Sequence, residues 1–204
     1  MKERGIIFNA EMVRAILDGR KTQTRRVMNN QPCTLPEENI SVQQDGSNFR
    51  WAGDLHNDTS GWFPCPLGKV GDRLWVRETF KTGVCTESTI AYKTTHKPSD
   101  LEEGWYEEIK WTPSIHMPRR YSRITLEITD IRVERLKSAG DTEFKAEGYP
   151  LERELTGGSM DPFCWFRNLW DSVSPTNFKY KDDPWVWVIE FKRMVNSGSD
   201  MGAR

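Results

Sequence analysis

The stretch Ile16-Leu17-Asp18-Gly19-Arg20-Lys21-Thr22-Gln23-Thr24-Arg25-Arg26 ends one element and begins another. Upstream of it, Asn9 is suited to cap a helix, because its side-chain oxygen can accept from a free amide of the first turn. Met12, Ala15 and Ile16 then recur at helical spacing and make one apolar face. Gly19 stands where that helix stops, since glycine takes the left-handed conformation there at no steric cost. Residues 22–28 alternate and carry β-branched threonines, the pattern of a strand. Thr22, Thr24 and Arg26 share one face of it, and Gln23, Arg25 and Val27 the other. Four cations and two hydroxyls thus crowd into the seven residues 20–26. Lys21, in the turn, is placed to lean toward Thr24, where a lysine beside a hydroxyl serves as a base or an anion clamp. The plainer alternative is a solvated basic strand edge, on which lysine discourages edge-to-edge pairing.

Working outward, residues 5–8 read as a short strand and 72–79 as another, with Leu74 and Val76 on one face. Residues 90–93 and 105–111 suggest two short strands. The clearest long strand is 123–134, where Ile124, Leu126 and Ile128 alternate with polar partners. A short helix over 141–147, capped by Asp141 or Thr142, ends at Gly148. A longer one over 162–173 puts Phe163, Phe166, Leu169, Trp170 and Val173 on one face. Residues 185–191 form the last strand, apolar on both faces near its start. Between 29 and 61 the chain turns polar and aperiodic, longer than ordinary connections, so it reads as a lid or a partly mobile insertion. Phe49, Trp51 and Trp62 argue that part of it packs down. The tail 195–204 is small, polar and expected to fray.

The chain has 204 residues, the size of one domain, placed here over 1–194 with insertions near 29–64, 95–117 and 150–183. With 29 Lys plus Arg against 30 Asp plus Glu, no overall polycation recruits nucleic acid. Affinity for phosphate must come from local clusters, at Arg20 to Arg26 and Arg119 to Arg123. No apolar stretch reaches the roughly 18–20 residues of a membrane span, and the first residues are charged, so a cytoplasmic location is expected. Cys33, Cys65, Cys85 and Cys164 are widely spaced and show no short paired spacing, so reduced thiols and no structural metal are expected.

Four elements, in order, resemble those of the ASCH-domain family. The Asp18 to Arg26 run resembles the family's glycine-lysine-threonine-arginine signature. Val70 to Glu78 resembles its GD-x-L strand start, Phe144 to Tyr149 its AEG-aromatic helix end, and Trp185 to Phe191 its final strand. The Ser114 to Arg119 and Leu169 to Asp171 segments are similar to those of longer phage and prophage ASCH proteins. The resemblance implies an α+β fold, a PUA-like mixed β-barrel with short flanking helices and loop insertions, with a cleft between barrel and helices. Wide strand spacing without βαβ alternation points the same way.

Some ASCH proteins are amidohydrolases that remove the acetyl group of N4-acetylcytidine, and their active residues fall on Lys21, Thr24 and Glu147. The set suits amide hydrolysis: a desolvated Lys21 takes the Thr24 proton, and Glu147 holds the lysine or protonates the leaving amine. Backbone amides or Arg25 would stabilise the oxyanion. The chain also departs from that small enzyme in length, and its Arg77-Glu78 and His116 to Arg119 elements belong to the phage-type relatives. A second set, Arg25, Arg26, Trp75, Arg77, Glu78, His116 and Arg119, suits ligand binding, since stacking aromatics and arginines hold single strands and extruded bases. Against this stand a core role for the tryptophans, a structural His116, and simple pairing of Arg77 with Glu78. The first reading is therefore binding of RNA, DNA or a modified nucleoside through a basic cleft, without a cofactor. The alternative is an amidohydrolase acting on an acylated cytidine or a related modified base. A phage assembly component is the third, disfavoured because such contacts prefer apolar anchors.

Overall fold

The computed structural model describes residues 1–32, 40–53, 60–84, 89–97 and 109–194. In chain order the elements are β1 (Glu3–Ile7), α1 (Ala10–Leu17), β2 (Gln23–Val27), β3 (Ile40–Asp45), β4 (Asn48–Gly53), β5 (Phe63–Pro64) and β6 (Arg73–Arg77). Then come β7 (Phe80–Thr82), β8 (Ile90–Tyr92), β9 (Thr125–Arg135), α2 (Asp141–Ala146), α3 (Leu151–Thr156), α4 (Asp161–Val173) and β10 (Trp185–Met194). The central sheet has the order β1-β6-β9-β10-β2, with β1 parallel to β6 and the remaining pairs antiparallel.

β10 shows why the last strand is apolar on both faces. Trp187, Ile189 and Phe191 point into one core with Val13 and Ile16 of α1. Val186 and Val188 point into another, with Phe166 and Trp170 of α4. Successive side chains on a strand take opposite sides, so one strand serves both. Opposite Glu190 stands Asp130, yet opposite Phe191 stands Ile128, so Thr129 is passed over. A bulge of this kind bends the strand and steepens its twist.

The sheet is α+β in context and curved, but it is open. β1 and β2 are its edges, and no backbone ladder joins them among the described residues. Arg26 bridges the seam instead, donating from its guanidinium to the Ile7 carbonyl at 2.7 Å. The mixed barrel expected from the sequence is thus met as an unclosed sheet.

The described part of the polar stretch 29–61 packs down, as Phe49 and Trp51 suggested. β3 and β4 form a hairpin whose turn uses Gly46 at φ 56°, and Phe49 and Trp51 enter the main core. Phe49 meets Trp187 edge-on, with ring centroids 4.9 Å apart. Trp62 remains exposed, under the Arg50 guanidinium at 4.6 Å. Residues 33–39 and 54–59 of this stretch, most of the strand expected at 105–111, and the tail 195–204 lie outside the described residues. α1 has the expected caps: Asn9 accepts from the Met12 amide at 2.8 Å, and Gly19 has φ 76°. α2 is capped by Gly140, ahead of both expected caps, and the Gly140 amide donates to the Glu143 carboxylate at 3.1 Å. No helix among the described residues is long and apolar enough to cross a membrane. Cys65 is buried and Cys164 exposed, both unbridged, while Cys33 and Cys85 lie outside the described residues.

Candidate functional site

The site is built where the end of α2 docks on the turn between α1 and β2. The Lys21 amide donates to the Ala15 carbonyl and the Thr22 amide to the Ala146 carbonyl, each at 2.9 Å. Arg20 clamps the junction from outside, donating to the carbonyls of Gly148 and Tyr149 at 3.0 and 3.1 Å. Gly148 has φ 103°, and a Cβ there would fall 2.8 Å from the Ala15 Cβ and 3.2 Å from the Lys21 Cβ. Only glycine satisfies both the backbone and the approach.

That contact delivers Glu147 to Lys21. The ammonium donates to Glu147 Oε2 at 2.6 Å and to the Glu147 carbonyl at 2.9 Å. The Lys21 side chain is 0% exposed and that of Glu147 4%. Arg25 donates to Glu147 Oε1 at 3.3 Å and stands 3.6 Å from Glu134. Burial pulls the Lys21 ammonium below the ordinary lysine value, and the Glu147 carboxylate opposes part of that shift. Thr24 is buried on the same strand but makes no hydrogen bond to Lys21 or Glu147 among the described residues. The pair is therefore sealed: Lys21 spends its donors on Glu147, not on Thr24.

Two clefts flank this pair along α1, sharing Met12 and Arg14. The smaller, about 310 Å³, includes Glu11, Arg20, Glu147, Arg153 and Trp165 in its wall. Apart from the shared Arg14, its cations have carboxylate partners already: Arg20 meets Asp18 at 3.0 Å and Arg153 meets Asp161 at 2.8 Å. The larger, about 620 Å³, is walled by Phe8, Arg14, Arg26, Glu78 and Lys93 among others. Arg26 stacks near Phe8 at 5.3 Å, and Lys21 lies behind the same ring at 5.7 Å without lining the cleft. Glu78 is neutralised from outside the cleft by Arg123, which grips both its oxygens at 2.9 Å. Three cations, Arg14, Arg26 and Lys93, then face a cleft whose carboxylate is already satisfied.

The remaining expected residues scatter. Arg25 and Arg119 do not share a cleft: Arg119 bonds Glu3 and Thr125, and Arg25 lies by Glu134. Thr125 and Glu134 are near opposite ends of β9, about 30 Å apart at the rise of a strand. Trp75 is no stacking platform, because the Arg77 guanidinium covers its ring at 4.6 Å and the Gly5 backbone presses on it. Arg77 reaches the Ile115 carbonyl, not Glu78. His116 is exposed, on a single 3-10 turn, and lines neither cleft along α1. Phe8, Arg14 and Lys93 went unnoticed in the sequence. Each sits at the end of a strand or inside a helix, where nothing local marks it as lining a cleft. Among the described residues no three of His, Cys, Asp or Glu are grouped to hold a metal ion.

No protein-family model and no curated protein matches this sequence. Among solved structures, the chain is similar to the high-resolution crystal structure of an ASCH domain from Lactobacillus crispatus JV V101, with a TM-score of 0.37 and 11% identity over 94% of this chain and 79% of that one.

Proposed function

We propose that the protein binds a nucleotide or a short nucleic-acid segment in the cleft between Phe8, Arg26 and Lys93. The observation that carries this reading is the charge balance there: three cations, and one carboxylate already held by Arg123. A volume of about 620 Å³ lies in the range of small-ligand sites. Phe8, almost wholly buried, backs the cleft from the core, and the arginines offer the fork that phosphate oxygens fit. An ASCH-like, PUA-like identity belongs to this same reading.

A second reading, amidohydrolysis of an acylated cytidine, is favoured by one observation. A lysine of lowered pKa touches a carboxylate on the motif that carries Thr24. In that mechanism a neutral Lys21 takes the Thr24 proton and passes it through Glu147 to the leaving amine as the alkoxide attacks the acyl carbon, and water then hydrolyses the acyl-threonine. The burial of Lys21 weighs against it, because the ammonium lines neither cleft and spends two donors on Glu147. One experiment separates the two. Titrating the protein with a panel of nucleotides and acylated nucleosides, then weighing the products by mass spectrometry, should give binding with recovered starting material. A deacylated product transfers the assignment to the hydrolase reading, and an absence of binding across the panel removes both.

A further inference from the structure

We propose that the open seam of the sheet is a phosphate site, so that the ligand of the adjoining cleft is a phosphorylated nucleotide and not a bare nucleoside. The assignment rests on the nucleotide reading above and deepens it. The seam holds a cavity of about 330 Å³ between β1 and β2, walled by Gly5, Ile7, Leu67, Trp187 and two arginines, Arg26 and Arg77. Among the described residues, every other one lining it is apolar or glycine, and no carboxylate faces it.

The two arginines come from strands on either side of β1. Arg26 donates across the seam to the Ile7 carbonyl at 2.7 Å, and Arg77 stands beside Ile7 in the β1–β6 ladder. The Arg77 side chain runs back over Gly5 and Trp75 and lines the cavity together with Arg26. Gly5 makes room for this: a Cβ there would lie 2.7 Å from Arg77 Nε. Each guanidinium has five donors and spends few of them on protein: Arg26 on the Ile7 carbonyl and Arg77 on the Ile115 carbonyl. A phosphate monoester supplies several acceptor oxygens and the opposite charge, and it matches the guanidinium fork. Apolar walls strengthen that attraction by keeping water out. Arg26 lines this cavity and the Phe8 cleft alike, so a phosphate in the seam sits beside a nucleoside held in the cleft.

The test is titration calorimetry of the full chain with cytidine, its 5′- and 3′-monophosphates, and inorganic phosphate. One monophosphate should bind about tenfold or more tighter than cytidine, the scale of added charge-assisted hydrogen bonds. Inorganic phosphate should compete with that nucleotide and not with cytidine. Arg77→Ala should erase the nucleotide's advantage while leaving cytidine affinity unchanged. Arg77→Gln, which keeps the stem over Trp75, serves if the alanine variant does not fold. Equal affinities for cytidine and both monophosphates overturn the proposal, as does an advantage that survives both variants. Phosphate binding as tightly as the nucleotide assigns the seam to a free anion and overturns the nucleotide claim. Failure of cytidine and all nucleotides to bind overturns the functional reading itself, so the two failures are distinguishable.

Discussion

Lys21→Ala is expected to destabilise the folded chain by about 3–5 kcal/mol, the range for stripping one partner from a buried ion pair. An exposed lysine would contribute little to stability, but this one has no exposed surface and gives two hydrogen bonds to Glu147. The substitution leaves the Glu147 carboxylate buried, with only Arg25 at 3.3 Å to hold it. Removing both charges at once, in Lys21→Met with Glu147→Leu, should recover part of the loss, because the buried Arg25 that loses Glu147 still has Glu134 at 3.6 Å. Urea unfolding of the native protein and the two variants reads this directly through the midpoint and slope. A loss below about 1 kcal/mol for Lys21→Ala would mean that the pair is solvated in solution, as surface pairs are.

Gly148→Ala should cost almost as much, for two separate reasons. The residue has φ 103°, a conformation that costs an alanine about 1–3 kcal/mol. The added methyl also meets the Ala15 Cβ at 2.8 Å, and overpacking of that kind adds about 1–3 kcal/mol. Gly46→Ala is the control: its φ of 56° is left-handed too, yet nothing lies within 4 Å of the new Cβ. Gly148→Ala should therefore lose clearly more stability than Gly46→Ala in the same denaturant series. Equal losses would show that the close approach of α2 to Lys21 carries no weight.

Local signals in the sequence reached as far as local structure. Asn9, the Met12 to Ile16 face and Gly19 defined α1 because each acts within one turn of itself. The alternation of β10 was equally plain, since both of its faces are buried. The β3–β4 hairpin was hidden by its composition. Ile40 and Val42 face the core, but Ser41, Gln43, Gln44 and Asp45 surround them and mask the period of two. The Gly46-Ser47 pair, which makes the two-residue turn, was the available sign of it. α3 was passed over because six residues with two exposed leucines show no inward face.

The candidate site was legible only in part, for a physical reason. The Asp18 to Arg26 run announced a cluster of cations, but not which of them would be solvated. Lys21 is buried because Gly148, more than a hundred residues later, lets a helix end press against it, and no local pattern encodes that contact. Glu147 entered through its resemblance to a family motif, not through spacing. Arg25 and Arg119 looked alike as cations in the sequence. The length of β9 sets them apart.

Nucleotide binding depends on the cationic cleft beside the sealed pair, and its response to salt is the sharpest test of that dependence. The comparison is between the native protein and the double variant Arg26→Gln, Lys93→Gln, in which glutamine keeps a donor for the Ile7 carbonyl. The native protein should lose affinity steeply as salt rises, because each neutralised phosphate releases counterions. The double variant should bind at least about tenfold more weakly, with a log–log salt slope shallower by about 1 for each phosphate that its side chains no longer neutralise. Unchanged affinity and an unchanged slope in the double variant would refute the assignment, since the ligand would then be held somewhere other than between Phe8, Arg26 and Lys93.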